Sequence, residues 1–196
     1  MDVPYRSGPV SHVLFIRGLA SEDDVYPQAR LTEDEENILN LMYSGSDFRF
    51  FDIYVDDAVK SMMVNVYELD AGAWKSLGNG AAHSIEGGRA RFVISGGDEA
   101  HLRTAVQTAD SMSAAVHSVP LVNHFEDMGY SAYFLSEQVE IECGVEIPVA
   151  IWAYSVGGSL RNYAPDYGFK NPQEYVASDY KLVCAVTIPF SQDVCE

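Results

Sequence analysis

The pentapeptide Ala153-Tyr154-Ser155-Val156-Gly157 is the part of this sequence that comes nearest to a catalytic motif. It lies directly after a run of strand-forming residues and echoes the G-x-S-x-G elbow, where a sharp strand-to-helix turn presents a serine hydroxyl for nucleophilic attack. Here Ala stands in the first glycine position, and Gly158-Ser159-Leu160-Arg161-Asn162 is a poor helix start. No histidine lies beyond His124, so the order of nucleophile then base fails. The segment reads as a turn at the end of a strand.

The other residues capable of chemistry are scattered. The five histidines are His12, His83, His101, His117 and His124, and no two stand at i, i+4 on a predicted helix or beside a cysteine. That spacing assigns no metal ligand, although strands can bring distant histidines together. Gly78-Asn79-Gly80 is too short for a dinucleotide fingerprint, and neither a phosphate-binding G-x-x-x-x-G-K-[ST] loop nor a calcium-binding D-x-[DN]-x-[DN]-G loop is present. With 29 Asp and Glu, any choice of a paired-carboxylate hydrolase site is arbitrary. No catalytic residue, metal ligand or cofactor is assigned.

Aromatic rings offer the remaining chemistry. Trp152 and Tyr154 fall on the same face of one strand, and Tyr163, Tyr167, Tyr175 and Tyr180 come soon after. Rings exposed on a sheet face stack on sugars, and acidic neighbours accept hydrogen bonds from hydroxyls. Trp152, Tyr154, Tyr163 and Tyr167 are therefore the candidate ligand-binding residues, for a carbohydrate or a protein ligand. The alternative is that this strand face is covered, which makes Trp152 part of the core.

Composition excludes several classes. The chain carries 12 Lys and Arg against 29 Asp and Glu, a formal charge of -17. Nucleic acid and anionic membrane surfaces both demand a basic footprint, so neither is an expected partner. No apolar run approaches the roughly 20 residues of a membrane-spanning helix. Val13 to Ile16 is too short an apolar core for a signal peptide. Cys143, Cys184 and Cys195 do not make a disulfide framework for 196 residues, though one bridge is open to them.

The elements that must position these residues are mostly strands. Ser46 to Leu69 reads as two strands joined by an Asp56-Asp57 turn, a hairpin on which the rest of a sheet is built. Phe51, Ile53 and Val55 share one face and Phe50 and Tyr54 the other, so the first strand is central. Short strands come next near Trp74, His83, Ala90 to Ile94, Leu102 to Thr108 and Ala114 to Val119, then a surface loop. Val139 to Glu142, Ile147 to Tyr154 and Lys181 to Phe190 complete the set. On the second of these, Ile147, Val149 and Ile151 are expected on one face and Trp152 and Tyr154 on the other. Thr32 to Tyr43 is the clearest helix: Thr32 and Glu35 form a capping box, and Ile38, Leu41 and Met42 make an apolar stripe. A short helix begins near Asn171.

The expectation is a mainly β chain: an antiparallel β-sandwich of about 8–10 strands with one N-terminal helix. Residues 1–30 form an ill-defined arm and residues 31–196 one sandwich domain. The stretches LTEDEENIL, DFRFFDIYVDDAVKSMMVNVYELDAGAWKSL, VEIECGVEIP and NPQEYVASDYKLVCAVTIPFS carry a likeness. Through them, from Leu31 to Phe190, the chain resembles a group of bacterial lipoprotein-type proteins of unknown function, chiefly from Gram-positive anaerobes. The resemblance implies one module and a cell-surface setting, and carries no activity with it. The functional expectation is a non-enzymatic binding module. The alternatives are a hydrolase whose carboxylates are assembled across strands, and a purely structural subunit.

Overall fold

The computed structural model describes residues 15–18, 47–77, 81–85, 88–96, 101–118, 128–156, 161, 163–178 and 180–194. The helix expected over Thr32 to Tyr43 lies outside them. Twelve strands and two short helices are present among the described residues. The strands are β1 (Phe15–Gly18), β2 (Asp47–Val55), β3 (Ser61–Asp70), β4 (Ala73–Ser76), β5 (Ala81–Ser84) and β6 (Gly88–Gly96), then β7 (His101–Gln107), β8 (Met112–Ser118), β9 (Gly129–Phe134), β10 (Val139–Glu140), β11 (Glu146–Ser155) and β12 (Leu182–Ser191). The helices are α1 (Pro165–Lys170) and α2 (Gln173–Val176).

All strand pairs are antiparallel, and they make two sheets. The first has the order β10-β1-β2-β6-β7-β8; the second runs β4-β3-β12-β11-β9. β5 pairs with the first half of β3 and β4 with its second half, so both extend the same edge. One apolar cluster draws on both sheets. Phe51, Ile53, Phe92, Ile94, Leu102 and Val106 from the first pack with Met62, Val64, Trp152, Val186, Ile188 and Phe190 from the second. The period-2 alternation of β2, β6 and β12 delivers these residues to one side.

The expected hairpin is not a hairpin. β2 lies between β1 and β6 in the first sheet, whereas β3 lies beside β12 in the second. The Asp56-Asp57 turn is real: the Asp56 carboxylate accepts from the Ala58 backbone N–H at 2.9 Å, and its carbonyl from Val59 N–H at 3.2 Å. Beyond the turn the chain changes sheet. Val59 is buried in the common core and Lys60 N–H donates to Ser191 O, so the turn redirects the chain to β12 instead of back along β2.

A register shift between Pro148 and Ala150 decides which way β11 faces. Proline has no N–H to give a ladder, and bulges are where strands accommodate it. Before the shift Ile147 and Val149 face the main core; beyond it Ala150, Trp152 and Tyr154 do. Ile151 and Ala153 turn to the opposite face. The expected grouping of Ile147, Val149 and Ile151 against Trp152 and Tyr154 is thereby replaced, because one extra residue inverts the parity of everything after it.

The outer face of the second sheet has its own cover. Ile151, Ala153, Val183 and Ala185 pack with Tyr175 of α2, and Tyr67, Leu69, Trp74, Tyr163, Phe169 and Tyr180 surround them. Two elements are not signalled by the local sequence. β9 lies where a surface loop was expected to continue, and α1 opens with a Pro in its first turn, a favoured place for it.

Candidate ligand-binding face

The four candidate residues separate into two pairs. Trp152 and Tyr154 are 2% and 5% exposed in the main core. The Trp152 ring meets Phe134 edge to face, with centroids 5.4 Å apart at 89°. These two rings offer no surface to a ligand. Tyr163 and Tyr167, in contrast, sit on the covering segment, and Tyr167 is 47% exposed. Their centroids are 5.7 Å apart with planes at 30°.

A tight connection brings a carboxylate to the pair. The Asn171 N–H donates to Tyr167 O at 3.0 Å and its side-chain amide to the same oxygen at 2.8 Å, ending α1. Glu174 N–H then donates to Asn171 O at 3.1 Å as α2 begins. This turn places Glu174 so that the Tyr163 hydroxyl points to one carboxylate oxygen and the Tyr167 hydroxyl to the other, each at 3.4 Å. Bonds that long are weak. The Glu174 charge, more than burial, lifts the Tyr167 phenol above its ordinary value of 10.0.

The shelf is anchored from behind. Tyr163 meets Tyr175 edge to face at 5.2 Å, and Tyr175 meets Tyr180 at 5.6 Å and Trp74 at 6.4 Å. Trp74 stacks on Phe169 at 5.2 Å, and its indole N–H donates to Phe169 O at 2.8 Å. Burial raises the Tyr175 phenol strongly. Tyr180 Oη donates to Arg161 O at 2.7 Å and accepts from Arg161 N–H at 2.6 Å, fastening the start of the segment to its end. Tyr167 is thus the exposed outer end of a packed aromatic series, with Tyr163 partly buried beside it.

Next to this series lies a carboxylate of a different kind. Glu146 accepts from Asn65 Nδ2 at 3.1 Å, from Thr187 Oγ1 at 2.8 Å and, through a short bond, from Tyr67 Oη. Burial and Glu146 together push the Tyr67 phenol up to about 12. With three donors from β3 and β12, Glu146 serves as a structural hub on the outer face.

Two histidines distant in sequence also lie near enough to influence each other. His83 on β5 places Nδ1 2.6 Å from Ser113 Oγ, and His117 on β8 places Nε2 2.9 Å from Thr104 Oγ1. Both rings are buried and lie where the two sheets face each other. Burial, then the neighbouring His117, lowers the His83 pKa below 6.5. Nothing in the local sequence signals this group, since its members come from three strands of two sheets. Among the described residues, no cluster of three or more His, Cys, Asp or Glu is disposed to hold a metal ion. Ser155, the elbow-like serine, is buried at the end of β11. Cys143 and Cys184 are free thiols, so they are not bridged to each other. His12 and His124 lie outside the described residues. No helix among the described residues is long and apolar enough to cross a membrane.

No protein-family model, curated protein or solved structure matches this chain.

Proposed function

We propose that the protein is a non-enzymatic β-sandwich binding module that takes a carbohydrate on the shelf of Tyr163, Tyr167 and Glu174. One observation carries this reading: an exposed tyrosine ring is held beside a carboxylate whose own hydrogen bonds are long. The apolar face of a sugar ring stacks on Tyr167 while its hydroxyls donate to Glu174, displacing weak contacts at little cost. The packed rings behind the shelf hold it in place before binding, which reduces the ordering penalty. The family resemblance adds a cell-envelope setting to this proposal.

Glycan binding by Tyr167→Ala tests it. Because the ring is exposed, the variant keeps its fold and melting temperature, and sugar affinity falls roughly tenfold, as loss of one stacking contact requires. Unchanged affinity in a folded variant refutes the shelf.

A second reading, a structural subunit, is favoured by β8. Among the described residues this strand ends its sheet, and it presents Met112, 78% exposed, and Val116, 62% exposed, with no charge or proline between them. Edge strands are ordinarily protected by charge. Sedimentation of the native chain and of Val116→Lys decides it: a dimer converted to monomer by the lysine supports the subunit.

A further inference from the structure

Resting on the proposed binding shelf, we infer that its ligand is an amino sugar, with a free ammonium group held by Glu174 while the sugar ring lies on Tyr167. Three observations distinguish this ligand from a neutral sugar.

The first is the state of the Glu174 carboxylate. Two other carboxylates show what strong partners look like. Asp52 accepts from Arg89 at 2.9 Å and Arg91 at 3.2 Å, and Glu146 has three donors of its own. Glu174 has two phenol contacts at 3.4 Å and, among the described residues, no ion pair. A partly buried carboxylate with only long contacts has acceptor capacity left over.

The second is the character of the ring. Both phenol hydroxyls point at the Glu174 carboxylate, so the rings lie beside a negative charge, and cations bind the faces of aromatic rings. The Glu174 charge is also what chiefly raises the Tyr167 pKa.

The third is the whole-molecule charge of -17, which attracts a cation from a distance and repels acidic sugars. A hydroxyl can fill the same hydrogen-bonding place, but it collects neither the ion pair nor the cation–π attraction.

The test uses disaccharides, whose few charges limit indiscriminate attraction to an acidic protein. Calorimetric titration compares the glucosamine disaccharide with its N-acetylated form, at a pH that keeps the amine protonated. The amino form is expected to bind about threefold to fivefold tighter. Glu174→Gln, which keeps the shape, removes that preference, and Tyr167→Ala weakens both sugars. Circular dichroism verifies that each variant is folded. Equal binding of the two forms, still lost in Tyr167→Ala, overturns the amino-sugar inference and leaves the carbohydrate shelf intact. A preference that persists in both variants comes from the general surface charge and overturns the inference as well. Failure of every sugar, neutral ones included, removes the shelf and the inference together.

Discussion

His83 donates or accepts through Nδ1 at Ser113, while its Nε2 is buried and meets no acceptor among the described residues. Protonation gives both nitrogens a hydrogen, so the charged ring has one donor with nowhere to go and His117 beside it. Its folded pKa therefore lies below 6.5. Between the lowered folded value and 6.5 the unfolded chain binds more protons, so stability rises with pH across that window. Urea denaturation is expected to show full stability from this group above about pH 7 and a progressive loss as pH falls below 6.5. In His83→Gln that part of the slope disappears. A slope unaltered in the variant assigns the effect elsewhere. Cys184 illustrates the same effect of burial on a thiol, whose pKa is pushed up to about 12.

At the scale of elements, α1 is fitted to the second sheet at Gly168. A Cβ there collides with the Tyr175 hydroxyl and comes within 3.0 Å of Ile151 Cδ1, so the glycine is needed for space. Gly168→Ala is expected to destabilise the protein by about 1–3 kcal/mol, the range for overpacking, despite the better helix propensity of alanine. Adding Tyr175→Phe removes the clashing oxygen and restores part of the loss, which a double-mutant cycle measures as a favourable coupling. If Gly168→Ala alone is neutral or stabilising, the close packing of α1 on β11 is wrong. Because α1 carries Tyr167, the same shift also weakens binding at the shelf.

For the molecule as a whole, the two sheets meet through large side chains, and Trp152 is the largest of the fully buried ones. Trp152→Ala is expected to cost about 3–5 kcal/mol, from lost transfer energy and the cavity left behind. Ligand affinity per folded molecule stays the same, because the shelf is on the other side of β11. A stable Trp152→Ala variant with impaired binding reverses that assignment and returns Trp152 to the site. Thermal unfolding alongside calorimetric binding distinguishes the two outcomes.

The sequence by itself determined the β-rich antiparallel character and the facing of residues along β2, β6 and β12. Those arise from period-2 alternation, a local property. It also drew attention to Tyr163 and Tyr167, through the density of aromatics after β11. Only the tertiary structure decided that the Asp56 turn changes sheets, since turn chemistry fixes a reversal and not the partner strand. Only the tertiary structure placed the β11 bulge, whose single extra residue sends Trp152 and Tyr154 inward. Pairing of distant segments likewise brought His83 to Ser113, and the α1–α2 turn brought Glu174 to Tyr167. Contacts of that kind depend on which strands and helices become neighbours, and no local pattern encodes that choice.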